Sequence, residues 1–308
     1  MRQAFLSALL TAAEADERIW LLCGDLGYSV LEPFAARFPD RFLNCGVAEQ
    51  TMIGVAAGLA RDGRIPFVYS IANFASLRCA EQIRNDVAYH GLPVKIVSVG
   101  AGFAYGTAGF THFGLEEVAL LRTFPNMVVV APGDPWETSA AVIALARDPR
   151  PAYLRLGKGR EPRVHAGPPD FALGRAIVVR AGRDLTILAA GGLLAVAAEA
   201  VETLAASGLA VELVSMPSIV PLDETALADA AQRTGKLLTV EEHGPGGLGS
   251  AVAEWIAERG LAVRLKRLHV GRERPVAAGS QDYLRRQFGL SADSIVEAAR
   301  ELTAPPPG

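Results

Sequence analysis

Residues 41–71 read RFLNCGVAEQTMIGVAAGLARDGRIPFVYSI, and their pattern decides the fold. RFLNCG (41–46) is a short β-rich apolar run. From Glu49 to Arg61, Met52, Val55, Ala56 and Leu59 recur at i, i+3, i+4 and i+7, one buried face of a helix. Asp62-Gly63 stops that helix, and IPFVYSI (65–71) is apolar throughout. A strand without polar alternation, joined by a helix to another strand, implies a mostly parallel sheet covered on both faces.

The same rhythm extends outward. IWLLCGDL (19–26), PVKIVSVG (93–100), NMVVVAPG (126–133) and AYLRLG (152–157) read as further strands of an α/β domain of about 160 residues. GREPRVHAGPPDF (159–171) has three prolines and no apolar periodicity and reads as a linker. A second α/β unit follows, with strands LTILAAG (185–191), AVELVSM (210–216), KLLTVEE (236–242) and VRLKRLHV (263–270), and helices from Leu193, Asp223 and Ser250. The expected division is 1–160, a linker over 161–172, and 173–308, each unit a doubly wound, mostly parallel sheet. The tail ELTAPPPG is expected to fray.

Composition narrows the function classes. The 308 residues carry 30 Lys and Arg against 33 Asp and Glu, a net charge of −3, and half are apolar. That excludes a disordered chain and gives no basic excess for a nucleic-acid or anionic-membrane surface. Cys23, Cys45 and Cys79 are odd in number and lack CxxC spacing, which suggests neither disulfides nor a zinc cluster and points to a reducing cytoplasm. The run AFLSALL (4–10) reads as an amphipathic first helix because Glu14, Asp16 and Glu17 follow it. No apolar run approaches the roughly 20 residues that span a bilayer.

Three stretches can carry chemistry. Gly244-Pro245-Gly246-Gly247-Leu248-Gly249 is a literal GxGxxG between a strand and a helix. A dinucleotide site also needs an acid about 20 residues on, and the next strand ends in LHVG (268–271), so a structural helix entry is the better reading. Glu49 stands where a strand turns into a helix. By itself it fits a first-turn acid favouring the helix dipole, while the small apolar residues after it suggest a deeply set carboxylate at a strand's carboxyl end, where open α/β sheets bind ligands. The loop GAGFAYGTAGFTHFG (100–114) holds five glycines, three aromatics between 103 and 110, and His112. Long loops in compact domains are often functional, and a structural histidine fits His112 about equally well.

Taken together, Gly24-Asp25-Leu26, GVAEQTMIGVAAGLA, YSIANFASLRCAEQIRND, GFTHFGLEEVALLRTFPNMVVVAPGDPWE, PAYLRLGKG and TVEEHGPGGLGSAVAE resemble the transketolase family of thiamine-diphosphate enzymes, which includes 1-deoxyxylulose 5-phosphate synthase. The resemblance covers nearly the whole chain. It implies the pyrimidine-binding and C-terminal domains of that family. The GDG…N motif by which the family anchors the diphosphate through Mg²⁺ is absent, since Gly24-Asp25 continues with Leu26 and Gly133-Asp134 with Pro135. The chain is therefore expected to be the C-terminal subunit of a split transketolase, with the cofactor's Mg²⁺ bound mainly by an N-terminal partner subunit, in a two-plus-two heterotetramer.

The resemblance also assigns residues. In the family a Glu at the Glu49 position hydrogen-bonds the cofactor pyrimidine, so that its exocyclic nitrogen can take the thiazolium proton; the protein tunes chemistry that belongs to the cofactor. Phe74 takes the place of an aromatic ring stacked on the pyrimidine. Asp25 is expected near that ring. His112 matches the His of the family's DGPTH motif, which polarises or protonates the substrate carbonyl. Ala108 replaces the motif's Asp, and Gly100 replaces a sugar-contacting His. Arg155 and Lys158 lie where the family places a phosphate-binding Arg. No metal ligand is assigned within this chain. The expected reaction is transfer of a two-carbon ketol or acyl unit. The alternatives are the beta subunit of a 2-oxo acid dehydrogenase decarboxylase and a regulatory subunit that keeps only the fold; retained Glu49, Phe74 and His112 argue against the latter.

Overall fold

The computed structural model describes residues 1–159, 161–272 and 277–304. The first sheet contains β1 (Ile19–Cys23), β2 (Phe42–Asn44), β3 (Ile65–Ile71), β4 (Lys95–Val99), β5 (Val128–Val130) and β6 (Ala152–Leu156). The second contains β7 (Ile177–Arg180), β8 (Leu185–Ala189), β9 (Val211–Ser215), β11 (Lys236–Val240) and β12 (Arg264–Leu268). A short strand, β10 (Ser218–Val220), comes from the second half of the chain yet pairs antiparallel with β5, so the first sheet has the order β10-β5-β6-β4-β3-β1-β2. The second has the order β12-β11-β8-β9-β7, parallel except for β7 on β9.

The expected parallel, doubly wound sheets are present, each closed on one edge by an antiparallel strand. Both edge strands were missed by the sequence reading. Each is only three or four residues long, and β10 lies between Pro217 and Pro221, which masks its pattern.

The first sheet buries apolar side chains on both faces. Phe5 and Leu9 of the helix Arg2–Ala15 pack with Phe67, Tyr69 and Val142 on one side, and Met52, Ile53 and Ala56 pack with Val68, Ile96 and Tyr153 on the other. This explains strands that are apolar throughout. The first helix is amphipathic, as its sequence implies. No helix among the described residues is long and apolar enough to cross a membrane. The C-terminal helix runs from Ala292 to Thr303; the last four residues of the tail lie outside the described residues.

The glycine-rich turn at 244–249 is filled from within. The amides of Leu248 and Gly249, at the start of the helix Leu248–Glu258, both donate to the buried carboxylate of Glu241 at 2.7 Å. An internal anion takes the place a diphosphate would need. Burial pushes the Glu241 carboxyl up to about 7 against those two amides.

Candidate active site

In the order β2-β1-β3-β4, consecutive strands depart to opposite sides of β1, which opens a crevice at the carboxyl ends of β1 and β3. The residues after β1, β2, β3, β4 and β6 converge there. Glu49 is the first residue of the helix Glu49–Arg61 and is 2 % exposed. Its side chain lies against the ends of β1 and β3: a Cβ on Gly24 would stand 3.5 Å from Glu49 Cγ and 3.7 Å from Ser70 Oγ. Arg78 Nη1 donates to Glu49 Oε2 at 2.8 Å.

Phe74, on the short helix after β3, is half-buried, and the Arg78 guanidinium carbon sits 4.3 Å from its ring centroid. The His112 ring meets the same phenyl ring edge-on at 5.2 Å. Asn73 Nδ2 donates to Thr111 O at 2.5 Å, which ties the His112 turn to the segment after β3. His112 Nδ1 is 3.0 Å from Thr111 Oγ1, which leaves Nε2 as the ring nitrogen without a hydrogen-bond partner among the described residues. Tyr105 lies 6.2 Å from the His112 ring, and Lys158 Nζ lies 4.5 Å from the Tyr105 ring centroid. Glu49, Phe74, His112 and Lys158 thus form one continuous array, with Arg78 and Tyr105 as links.

Asp25 is exposed at the rim with a left-handed backbone, φ +54°. Its carboxylate accepts from Asn44 Nδ2 at 2.9 Å and Tyr28 Oη at 3.0 Å, and these bonds hold it below the usual carboxylate range. Gly100, with φ +96°, lies under Tyr105: a Cβ there would come within 2.3 Å of that ring. Tyr105 fills the space that a side chain at position 100 would need.

Arg155 requires a correction. The resemblance placed it beside Lys158 as a phosphate contact, but its side chain is 5 % exposed and committed elsewhere. Nε donates to Glu117 Oε1 at 2.6 Å, and Nη2 donates to the carbonyls of Gly114 at 2.7 Å and Glu242 at 2.9 Å. Burial pushes the Glu117 carboxyl up, but the Arg155 charge and the hydrogen bond from its Nε outweigh it and hold Glu117 low. His243 beside them is neutral. Burial lowers it to about 4, and its Nε2 accepts from Val118 N at 3.2 Å. The 3.7 Å approach of that nitrogen to Glu117 is therefore not an ion pair.

Arg78, Asn73 and Tyr105 were not singled out from the sequence. Among the described residues, no group of three or more His, Cys, Asp or Glu side chains is placed to hold a metal ion.

A buried carboxylate, an aromatic face and a histidine thus lie together at the switch point of a doubly wound sheet, in a chain that carries a second α/β domain. Residues 1–162 match the transketolase pyrimidine-binding domain and residues 174–295 the transketolase C-terminal domain. The chain belongs to the transketolase family. It is 40% identical over 305 residues to the 6-deoxy-6-sulfo-D-fructose transketolase subunit SqwH of Clostridium sp. (strain MSTE9), covering 98% of this chain and 94% of that one. It is 38% identical over 304 residues to a subunit of the apulose-4-phosphate transketolase of Phocaeicola vulgatus, covering 98% and 96%. A solved split-gene transketolase, described as an inactive beta4 tetramer, superposes with a TM-score of 0.88 at 38% identity over 98% of this chain and 97% of that one. The chain is thus a transketolase-type subunit of the split kind, of the class that carries out two-carbon transfer.

Proposed function

We propose that this chain supplies the pyrimidine side of a thiamine-diphosphate site whose Mg²⁺ and diphosphate are held by a separate N-terminal subunit, in a cytoplasmic two-plus-two assembly. The observation that carries the reading is the Glu49 carboxylate, buried at the carboxyl ends of β1 and β3 and facing the same cleft as Phe74 and His112. These residues fit the ring end of the cofactor. The two named relatives are themselves subunits of transketolases, which supports a shared site.

When bound, thiamine diphosphate supplies a nucleophilic carbon that accepts and donates the two-carbon unit. Glu49, buried at the strand ends, would hydrogen-bond the pyrimidine nitrogen. Phe74 fixes the ring plane by stacking. His112, with Nδ1 tied to Thr111, presents Nε2 to the substrate oxygen. Asp25 shapes the rim. Lys158 is exposed beyond Tyr105 and offers a point charge to an anionic end of the substrate. The two named relatives act on a sulfosugar and on a sugar phosphate; a terminal phosphate or sulfonate suits the ammonium of Lys158 equally. Neither the conventional His at position 100 nor the Asp at 108 is present, so sugar hydroxyls meet Tyr105 and a small alanine instead.

The test is reconstitution with the partner subunit. Glu49→Gln is expected to bind cofactor but to lose exchange of the thiazolium proton for deuterium, measured by NMR, by about a hundredfold or more. Exchange at the wild-type rate would refute the role of Glu49.

A further inference from the structure

One planar group spans the two contacts that a pyrimidine would make. The Arg78 guanidinium lies over the face of Phe74, 4.3 Å from its centroid, and the same guanidinium donates to Glu49 at 2.8 Å. A group that stacks on Phe74 and gives an N–H to Glu49 must occupy the volume between them. An aminopyrimidine is likewise flat with an N–C–N edge, although its ring nitrogen would accept a proton from Glu49 where the guanidinium donates one, and a ring stacked on the same face of Phe74 would need the space the guanidinium fills. We propose that Arg78 is a displaceable occupant of the ring pocket: in the cofactor-free subunit its guanidinium stands in for the pyrimidine, and it must swing out for the ring to enter. This deepens the reading of Glu49 and Phe74 as ring contacts and rests on it.

The two partners differ in mobility as this requires. Glu49 is 2 % exposed and packed at strand ends, whereas the Arg78 side chain is 44 % exposed and leads to solvent. Without an occupant, a buried carboxylate would lack a charged donor, which is costly. With Arg78 in place it is satisfied, and the aromatic face is covered. The Arg78 carbonyl accepts from Gln50 Nε2 at 3.1 Å, so the backbone is pinned while the side chain can rotate. Arg78 therefore keeps the empty pocket assembled and competes with the cofactor, which lowers affinity without touching substrate.

The experiment is a titration of thiamine diphosphate with Mg²⁺ into the complex of this chain and its partner subunit, followed by calorimetry, for wild type, Arg78→Gln and Arg78→Lys. Removing a half-exposed ion-pair competitor is expected to tighten the dissociation constant about five-fold in Arg78→Gln. Arg78→Lys keeps the charge but cannot lie flat on Phe74, so it should shift the constant in the same direction by less, and it decides the matter alone if the Gln variant does not fold. A crystal structure of the loaded complex should show the guanidinium off Phe74. Unchanged or weaker binding in the variants, or an Arg78–Glu49 contact that persists beside bound cofactor, overturns the inference while leaving the function reading intact. A wild-type complex that binds no cofactor overturns both.

Discussion

Replacing Arg155 by Met tests whether this side chain is structural or a substrate contact. The substitution removes the charge that partners Glu117, which is 0 % exposed, and two further donations to the Gly114 and Glu242 carbonyls. Removing one member of a buried ion pair costs about 3–5 kcal/mol, because an uncompensated charge stays behind. For a chain of this size each kcal/mol lowers the melting temperature by about 2–4 °C, so a fall of about 10 °C is expected by differential scanning calorimetry. Because domain folds need not unfold in one step, the comparison should be made on the first transition. The double variant Arg155→Met/Glu117→Leu should recover most of the loss, since replacing both partners by apolar groups is often near neutral. A melting temperature within about 2 °C of wild type, together with a raised KM for an anionic substrate, would refute the structural reading and restore Arg155 to the substrate site.

Lys158→Ala should behave in the opposite way. KM for a phosphate- or sulfonate-bearing substrate is expected to rise about tenfold or more through loss of a charge-assisted contact, with the melting temperature nearly unchanged because Lys158 is exposed; steady-state kinetics on the reconstituted enzyme reads it. Lys95 is fully buried, and its Nζ donates to the carbonyls of Asp148 at 2.7 Å and Arg150 at 2.5 Å. Burial lowers it from 10.5 to about 7. The unfolded chain then binds more protons between these values, so stability should rise with pH from about 7 to about 10.5. Denaturant titrations across that range should show the rise in wild type and its absence in Lys95→Met.

Much of the fold could be read because apolar runs and a 3.6-residue period report burial directly. Residues 41–71 form strand, helix and strand where their pattern places them, and Glu49 could be located because its helix begins at the turn itself. What could not be read depends on tertiary position. β7 and β10 are short edge strands whose partners lie across the sheet or in the other half of the chain. Arg78 pairs with Glu49 across 29 residues, and no local pattern announces that. Arg155 and Lys158 are three residues apart on one strand end. Their sequence context suggests a common role, yet Arg155 lies within β6 with its side chain buried, whereas Lys158 lies two residues beyond the strand, at the surface.

The buried network around Arg155 also joins the second domain to the loop that carries His112. The loop that carries His112 is closed at its base by reciprocal bonds between Gly102 and Gly114, at 2.9 and 3.0 Å. Residues after β11 grip both sides of that base. Glu242 accepts from Phe103 N at 2.7 Å, and Gly244 N donates to Leu115 O at 2.7 Å. Glu242 is itself held by Gln281 and Arg285. Arg155 adds a bond from β6 to Gly114 and another to the Glu242 carbonyl. A histidine on a glycine-rich loop would ordinarily be mobile. Here the loop is long between its ends but fixed at them, so the position of His112 is set in part by residues of the second domain. That is a physical reason for the pyrimidine-binding and C-terminal domains to be carried on one chain.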